Sequence, residues 1–381
     1  MKIVSFYLPQ FHEFKENNEW WGKGFTEWVN VKKSNALYKG HNQPRVPLNC
    51  NYYDLLDPNT IKWQAEIAKK YGVYGFCFYH YWFDGHMLMK DPMEILYEDK
   101  SIDINYCICW ANENWTRAWA DYSREVLIEQ TYGDENDWDK HFYYILKFFK
   151  DPRYIYKDGK PVFVIYRPEI IPTLCPMLER WNYLAKRNGL QGICYMSQQC
   201  DFDIRKDNGG SLFSYEIEFQ PPRVKSYHKS YPIRQMQCFA PSVLIRKLLN
   251  KVSTTLGIPI GYYNSIQYSY DGAWKRILSM KPRDRKSIPG AFVDWDNTPR
   301  YGEKGSFYSG VTPQKFQKYL TMQIKNAQDN YHQDMIFMFA WNEWGEGGYL
   351  EPDTKWGYKM LKAVRDALHA TNSFPRSRIE K

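Results

Sequence analysis

Residues Met335–Gly348 read MIFMFAWNEWGEGG, and this stretch decides the fold. Its apolar run predicts a strand at Met335–Trp341, which is followed directly by a turn of polar, aromatic and glycine residues. Strands that are buried on both faces, as in a parallel sheet, have such continuous apolar runs, whereas half-exposed strands alternate. Similar runs recur along the chain and predict further strands at Lys2–Tyr7, Gly75–Tyr81, Asn105–Trp110, Pro161–Tyr166, Gly192–Met196, Leu212–Glu218 and Gly290–Asp294.

Helical patterns lie between these runs, at Asn59–Tyr71, Asn136–Lys150, Thr312–Asp329 and Trp356–Ala370. Their apolar residues recur three or four positions apart, as one buried face of an α-helix requires. Alternation of strand and helix, repeated about eight times, predicts an α/β protein with a (β/α)8 TIM barrel. An open doubly wound sheet is the alternative fold. It is disfavoured because no Gly-x-Gly-x-x-Gly motif follows the first predicted strand.

We expect one domain over residues 1–381, because the chain has no linker-like segment and no internal repeat. Two stretches, 12–58 and 220–287, are longer than ordinary loops, and loops of that length are usually functional. Both should lie at the end of the barrel where active sites form. Residues 220–287 could alternatively form a helical insertion.

The composition limits the classes of partner. The 381 residues carry a net charge of +8 that is spread along the chain, which predicts no nucleic-acid partner because such sites need a stripe or tail of like charge. The chain has no apolar run that could span a membrane, and its first apolar stretch is too short for a signal peptide. The eight cysteines form no Cys-x-x-Cys pair, which favours reduced thiols and a cytoplasmic location. We expect no metal and no cofactor, since no set of cysteines and histidines has the spacing of a zinc site and no cofactor motif is present.

Aromatic residues make up 18% of the chain, and many of them stand beside polar residues where the predicted strands end. In a barrel these ends converge on one cavity. Carboxylates, amides and guanidinium groups beside indole and phenol rings suit a sugar, which offers hydroxyls at its rim and C–H groups on its faces. We therefore predict substrate contacts from Tyr7, His12, Trp28, His80, Trp82, Asn112, Glu113, Asn114, Arg117, Trp119, Tyr215, Glu216, Asp294, Asp296, Arg300, Trp341, Asn342 and Trp344.

Glu343 and Glu346 are the predicted catalytic residues. On a strand, two residues three apart point to opposite faces, but the glycines of Trp344–Gly348 permit a turn in which both carboxylates reach one ligand. Paired carboxylates are what glycoside chemistry needs, since one protonates the leaving oxygen while the other assists displacement at the anomeric carbon.

At these residues the sequence resembles the WbsX family, which is related to glycoside hydrolase family 99, the endo-α-mannosidases and mannanases. The similarity spans nearly the whole chain. It is carried by SFYLPQFH at Ser5–His12, GFTEW at Gly24–Trp28, YGFCFYHYWF at Tyr74–Phe83, CWANENWTRAW at Cys109–Trp119, DWDNTPR at Asp294–Arg300 and WNEWGEG at Trp341–Gly347.

The resemblance implies a (β/α)8 enzyme of bacterial O-antigen or capsule assembly. It also implies a retaining mechanism in which Glu343 acts as base on the sugar's own 2-hydroxyl, through a 1,2-anhydro sugar, and Glu346 is the general acid/base. The family 99 relatives have Asn-Glu-Trp-His-Glu-Gly here, so that this sequence has Gly345 in the place of their histidine.

Three functions remain open from the sequence. The leading one is a retaining glycoside hydrolase or transglycosidase whose partner is an oligosaccharide or polysaccharide, free or lipid-linked. The second is a glycosyltransferase with an activated sugar donor, for which Asp201-Phe202-Asp203 and Asp294-Trp295-Asp296 could hold a metal on a diphosphate. The third is a non-catalytic glycan-binding protein.

Overall fold

The structure is a computed structural model that describes residues 1–38, 40–117, 125–200, 211–224 and 266–375. Its main sheet is parallel, each strand pairs with the next along the chain, and the last pairs with the first. This order confirms the predicted (β/α)8 barrel. Numbered in chain order, the strands are β1 (Lys2–Tyr7), β2 (Val73–Phe83), β3 (Asn105–Trp110), β4 (Lys160–Ile165), β5 (Cys194–Gln199), β6 (Tyr215–Glu218), β7 in two pieces (Ser287–Ile288 and Gly290–Phe292) and β8 (Met335–Phe339).

The seventh strand is broken at Pro289. Its first piece pairs with β6 and its second piece with β8, so the barrel closes through two half-strands. Proline has no N–H to give to a sheet ladder, which is why the pairing changes partner at this residue. Gly290 follows because the chains approach closely there: a Cβ at this position would lie 1.9 Å from the carbonyl oxygen of Glu218.

The barrel strands are buried on both faces, as their apolar runs predict. Every residue of β8 is buried, and so are the last five residues of β1. One face fills the barrel and the other packs against the helices, so neither face needs polar residues. The cysteines among the described residues are all free, and Cys77, Cys107 and Cys109 lie in this core.

Helices follow most of the strands. In chain order they are α1 (Lys15–Trp21), α2 (Glu27–Lys33), α3 (Pro58–Lys70), α4 (Asp91–Glu98), α5 (Glu135–Phe149), α6 (Leu174–Arg187), α7 (Tyr270–Ser279), α8 (Thr298–Tyr301), α9 (Pro313–Asp329) and α10 (Lys359–Ala370). Within the described ranges, none of them is long and apolar enough to cross a membrane.

Capping residues set the helix starts that the sequence pattern predicts. The Asp57 side chain accepts a hydrogen bond at the start of α3, and the side chains of Asp134 and Thr312 do so for α5 and α9. Proline occupies an early position in α3 and α9, where its missing N–H has no intrahelical partner to lose. The predicted helix bounds are therefore correct to within a few residues.

The two long stretches differ in what they contribute. Residues 12–58 hold α1 and α2, and they pack over the end of the barrel to which β1 runs. Of residues 220–287, only 220–224 and 266–287 are described, and the latter include α7. The predicted insertion therefore lies mostly outside the described residues, and the single domain over 1–381 stays a prediction.

Candidate active site

A cavity of about 250 Å³ lies at the carboxyl ends of the barrel strands. Active sites of (β/α)8 barrels form at this end, and this cavity combines aromatic rings with a few charged groups, as ligand sites commonly do. Its lining residues are Leu8, Tyr79, Tyr81, Ala111, Glu113, Asn114, Trp115, Thr116, Tyr166, Phe219, Pro222, Trp295, Arg300, Phe339, Glu343 and Glu346.

The turn after β8 brings Glu343 and Glu346 to this cavity. Asn342–Glu343 pairs antiparallel with Gly348–Tyr349, and a single 3-10 turn joins the two. Gly347 closes this hairpin with a φ of 65°, in the left-handed region that glycine enters without strain. The turn therefore places on one cavity wall two carboxylates that a straight strand would send to opposite faces.

Asn342 anchors the hairpin to the first strand. Its Oδ1 accepts a hydrogen bond from the Leu8 backbone N–H at 2.8 Å, and its Nδ2 donates to the Leu8 carbonyl oxygen at 2.9 Å. The Asn342 side chain is fully buried. Its side chain therefore continues the hydrogen bonding between the first and last strands beyond the ends of their ladder.

Arg300 joins the two glutamates. It belongs to the short helix α8 after β7, and its side chain is buried. Nη1 donates to Glu346 Oε1 at 2.7 Å, Nη2 lies 3.5 Å from Glu343 Oε2, and Nε donates to Glu27 Oε1 at 2.9 Å. One planar guanidinium thus faces three carboxylates, which a lysine ammonium could not do with the same directions.

Glu343 holds its proton more tightly than an ordinary carboxyl group. Burial raises the pKa of Glu343, the charges of Glu346 and Glu27 raise it further, and Arg300 opposes them, so that the pKa reaches about 8. A carboxyl group with a pKa in this range can give or take a proton near neutral pH.

Glu351 supports the turn from behind. Its Oε2 accepts hydrogen bonds from the Trp344 indole N–H at 2.6 Å and from the Tyr53 hydroxyl at 2.8 Å, and its Oε1 accepts from Gln64 Nε2 at 2.7 Å. Burial raises the pKa of Glu351 to about 7 in spite of these donors. Glu351 is not among the residues predicted from the sequence, although a carboxylate just after a glycine-rich turn was a usable signal.

Five of the predicted site residues line the cavity together: Glu113, Asn114, Arg300, Glu343 and Glu346. Glu113 accepts a hydrogen bond from Arg167 Nη1 at 2.5 Å, and burial raises the pKa of Glu113 against the charge of that arginine. Asn114 Oδ1 accepts from the backbone N–H of Gln130 at 2.7 Å. The loop after β3 therefore faces the glutamate pair with a second carboxylate–arginine contact.

Other predicted residues lie in the layer behind the cavity wall. The Trp28 ring packs on the Trp344 ring with centroids 5.4 Å apart, and the Trp28 indole N–H donates to the Tyr53 carbonyl oxygen. Trp341 is fully buried against Phe76. The Tyr7 hydroxyl points towards α3, where it donates to Gln64 at 2.6 Å.

His80 and Trp82 are engaged with α5. Nε2 of His80 lies 2.9 Å from Nε2 of His141, and the Trp82 ring stacks on the His141 ring with centroids 4.4 Å apart. The Trp82 indole N–H donates to Asp137 at 3.0 Å. Burial lowers the pKa of His80 to about 3, so this pair is neutral at physiological pH.

Two further predicted residues hold loops near the cavity, and a third is buried. The Asn112 side chain exchanges two hydrogen bonds with the backbone of Arg167, both of 2.8 Å. Arg117 pairs with Glu125 at 2.7 Å. His12 is buried, which lowers its pKa.

Asp294 and Asp296 belong to a buried ionic cluster beside the site. Arg45 Nη2 lies 2.9 Å from Asp294, and His41 Nε2 lies 2.9 Å from Asp296. Burial raises the pKa of Asp294. Burial acts in the same direction on Asp296, but the hydrogen bond with His41 and the charge of Arg45 outweigh it and lower the pKa of Asp296 to about 2.

Tyr215 and Glu216 stand at the amino end of their strand, because β6 begins at Tyr215 and not at Leu212 as predicted. The Tyr215 hydroxyl donates to Asp158 at 2.6 Å, and Glu216 accepts from Gln199 at 2.6 Å. Trp119 and the Asp201–Asp203 motif lie outside the described residues. The roles of all these residues in substrate contact remain predictions.

The rings that line the cavity were only partly anticipated. Tyr79, Tyr81, Trp115, Tyr166 and Trp295 face it, and each lies at or near the carboxyl end of a predicted strand. Their position at strand ends, the same signal that led to the polar candidates, places them among the aromatic residues expected around the site, although they were not among the predicted substrate contacts. Within the part of the chain that the structure describes, no group of three or more His, Cys, Asp or Glu side chains is arranged to hold a metal ion.

The fold and the cavity place the protein among the (β/α)8 barrels with a carboxylate-bearing site at the carboxyl ends of the strands. Comparison with known sequences identifies the family within this class. The sequence model of the WbsX glycosyltransferase family matches residues 3–364, and the chain belongs to this family.

Two curated relatives come from Xanthomonas campestris pv. campestris, and both are described as "Uncharacterized protein WxcX". The relative from strain B100 is 35% identical over 369 residues, and that from strain ATCC 33913 is 34% identical over 375 residues. Each alignment covers 96% of this chain and 49% of the relative. The chain therefore spans about half the length of the curated relatives it matches.

Solved structures share the fold. The GH99 endo-α-mannosidase from Bacteroides thetaiotaomicron aligns with a TM-score of 0.53 and 14% identity, covering 98% of this chain and 96% of that one. A second structure, named a glycoside hydrolase-like protein, aligns with a TM-score of 0.55 and 12% identity, covering 96% and 93% of the two chains. At these identities the similarity supports the barrel alone.

Proposed function

We propose that the protein is a retaining glycoside hydrolase or transglycosidase that acts on an oligosaccharide or polysaccharide through Glu343 and Glu346. The observation that carries the proposal is the pair itself: both side chains line one cavity, and a single arginine contacts both of them. Glycoside chemistry needs two carboxyl groups with different proton affinities around one bond.

The roles follow the order of protons in the reaction. In the reactive form of the pair, Glu346 carries the proton and Glu343 is ionised. The raised pKa of Glu343 makes this carboxylate a strong base, which takes the proton of the sugar's 2-hydroxyl. The 2-oxygen then attacks the anomeric carbon and gives a 1,2-anhydro sugar. Glu346 gives its proton to the leaving oxygen as the glycosidic bond breaks. A water or an acceptor hydroxyl then attacks the anomeric carbon and gives its proton to Glu346, while Glu343 returns its proton to the 2-oxygen. Glu346 is the more exposed of the two, at 19% of its side chain against 7%, which suits exchange with an incoming acceptor.

The remaining walls suit a sugar substrate. Tyr79, Tyr81, Trp115, Tyr166 and Trp295 provide aromatic faces and hydrogen-bonding edges around the glutamates. Burial raises the pKa of Tyr81, so its hydroxyl remains a neutral donor at physiological pH. A polyhydroxylated ring can use both kinds of contact. The proposed substrate is a bacterial surface glycan, free or lipid-linked, on which the enzyme would act in the cytoplasm.

A glycosyltransferase is the second candidate, because the family is described as one. Among the described residues that line the cavity, Glu113, Glu343 and Glu346 bear carboxyl groups and Arg300 bears a permanent positive charge, an arrangement that disfavours binding of the diphosphate of a nucleotide sugar. Asp294 and Asp296, the described Asp-x-Asp pair, are held by Arg45 and His41. A non-catalytic glycan-binding protein would use the same walls without the proton chemistry.

The test compares two readouts on one enzyme preparation. The protein is incubated with reducing-end-labelled α-mannoside oligomers and with labelled oligosaccharides from bacterial O-antigen and capsule, with and without UDP-, GDP- and dTDP-sugars. We expect new reducing ends or transfer products without a nucleotide sugar, and Glu343→Gln and Glu346→Gln should each lower the rate by at least about a hundredfold. Consumption of a nucleotide sugar by the wild type that both variants retain would refute the proposal.

A further inference from the structure

We propose that Glu27 is a positioning residue of this site, which holds the Arg300 guanidinium between Glu343 and Glu346. This inference rests on the proposed function. Glu27 does not line the cavity, so it would act through the arginine and not on the substrate. The carboxylate comes from the loop after β1, a part of the chain far in sequence from both glutamates.

The position of Glu27 is fixed from several sides. Its residue begins α2, its backbone N–H donates to the Gln10 carbonyl oxygen at 3.0 Å, and Trp28 beside it packs on Trp344. Glu27 is fully buried. Its Oε1 accepts the Nε–H of Arg300 at 2.9 Å, on the opposite edge of the guanidinium from Nη1. The side chain therefore approaches the arginine from a rigid layer.

Gly345 provides the room for this contact. A Cβ at position 345 would lie 1.7 Å from Glu27 Oε1 and 2.9 Å from Arg300 Nε. Any other residue there would overlap the Glu27 carboxylate, which rigid surroundings prevent from moving away. The glycine between the two proposed catalytic residues and the distant Glu27 are thus parts of one spatial arrangement.

The burial of Glu27 is costly unless it serves the arginine. Its second oxygen, Oε2, is shielded from solvent and accepts no hydrogen bond from the residues that the structure describes. A buried carboxylate oxygen without a partner destabilises a fold, and an apolar residue at this place would avoid that penalty. In return, the Glu27 carboxylate fixes the orientation of the Arg300 guanidinium. With Nε bonded to Glu27, Nη1 and Nη2 face the two glutamates.

The charge of Glu27 also reaches the glutamate pair. Burial raises the pKa of Glu343, the charges of Glu346 and Glu27 raise it further, and Arg300 opposes them. Tyr79 and Tyr81 are two further titratable groups that interact with Glu343. Removing this one negative charge while keeping the shape of the side chain should therefore lower the pKa of Glu343.

The test uses Glu27→Gln, which keeps the side-chain shape, and Glu19→Gln as a matched control on exposed helix α1. We expect Glu27→Gln to fold normally by circular dichroism and to lower kcat at least about tenfold with KM changed less than about twofold. The high-pH limb of its rate profile should move to lower pH. The control should match the wild type in each measurement.

A second readout does not depend on activity. In protein labelled with 15N at arginine Nε, the buried Arg300 signal, assigned by its loss in Arg300→Lys, should exchange slowly in the wild type and rapidly in Glu27→Gln. Gly345→Ala should have the same effect by displacing the carboxylate, which covers the case that Glu27→Gln does not fold. A wild-type pH profile and a protected Arg300 signal in Glu27→Gln would overturn the inference. If instead Glu343→Gln and Glu346→Gln keep activity, the proposed function fails, whatever Glu27 does.

Discussion

Asn342 offers the sharpest test of how the site is built. The substitution Asn342→Ala removes the two hydrogen bonds by which its side chain holds the Leu8 backbone, of 2.8 and 2.9 Å. Both Leu8 groups would then be buried without this partner, and each such group costs about 1–3 kcal/mol. The free energy of unfolding should therefore fall by about 2–6 kcal/mol, a large part of a typical domain's stability.

Urea unfolding followed by tryptophan fluorescence measures this change. Asn35→Ala is the matched control, because the Asn35 amide makes an exposed hydrogen bond to Lys33 and its loss should cost well under about 1 kcal/mol. We also expect Asn342→Ala to lose activity at temperatures where it remains folded, since the hairpin that carries Glu343 is no longer tied to β1. A loss of stability no larger than that of the control would refute this account of the anchor.

Three further predictions follow from groups around the site. The rate should fall as pH rises through about 8, because the pKa of Glu343 lies there and loss of the last proton of the glutamate pair leaves no acid; a kcat/KM profile flat to about pH 10 would contradict this. Arg45→Met should destabilise the fold by about 3–5 kcal/mol in thermal or urea unfolding, since Asp294 loses its buried cation; exposed Arg187→Met is the control. Glu351→Gln should lower kcat while changing the free energy of unfolding little. Its amide oxygen can still accept a hydrogen bond from Trp344, but the amide cannot accept from Trp344, Tyr53 and Gln64 together as the carboxylate does; an unchanged kcat would argue against a supporting role.

The strands could be predicted from sequence because burial on both faces leaves a local pattern. β1 and β3 match their predicted bounds, and β8 ends two residues before the predicted end, where Trp341 begins the turn. The predicted start of β6, at Leu212, was wrong. Residues 212–214 are uncharged and continue the pattern of a strand, but the strand itself begins at Tyr215. Apolar character indicates burial, but only the pairing partner decides where a strand begins.

The glutamate pair could be predicted because both residues lie in one short segment. The partners of the pair could not, since Glu27 and Arg300 are brought to it by different loops, and nothing in the sequence shows that a glycine at 345 leaves room for a carboxylate. Polar residues at strand ends also have more than one use. His80 is engaged with α5, and other such residues tie loops together, so that residue type and position alone do not separate contact with a ligand from support of the scaffold.

The interruption at Pro289 gives the barrel a seam. On either side of it the ladder consists of a two-residue and a three-residue piece, so fewer cross-strand bonds must break there than between β1 and β2. Local opening starts where such bonds are few. In native-state hydrogen exchange the amides of 287–292 should therefore exchange before those of β1. Arg300 follows this interrupted strand in the chain. Local opening of residues 287–292 would therefore also loosen the arginine that contacts Glu27, Glu343 and Glu346.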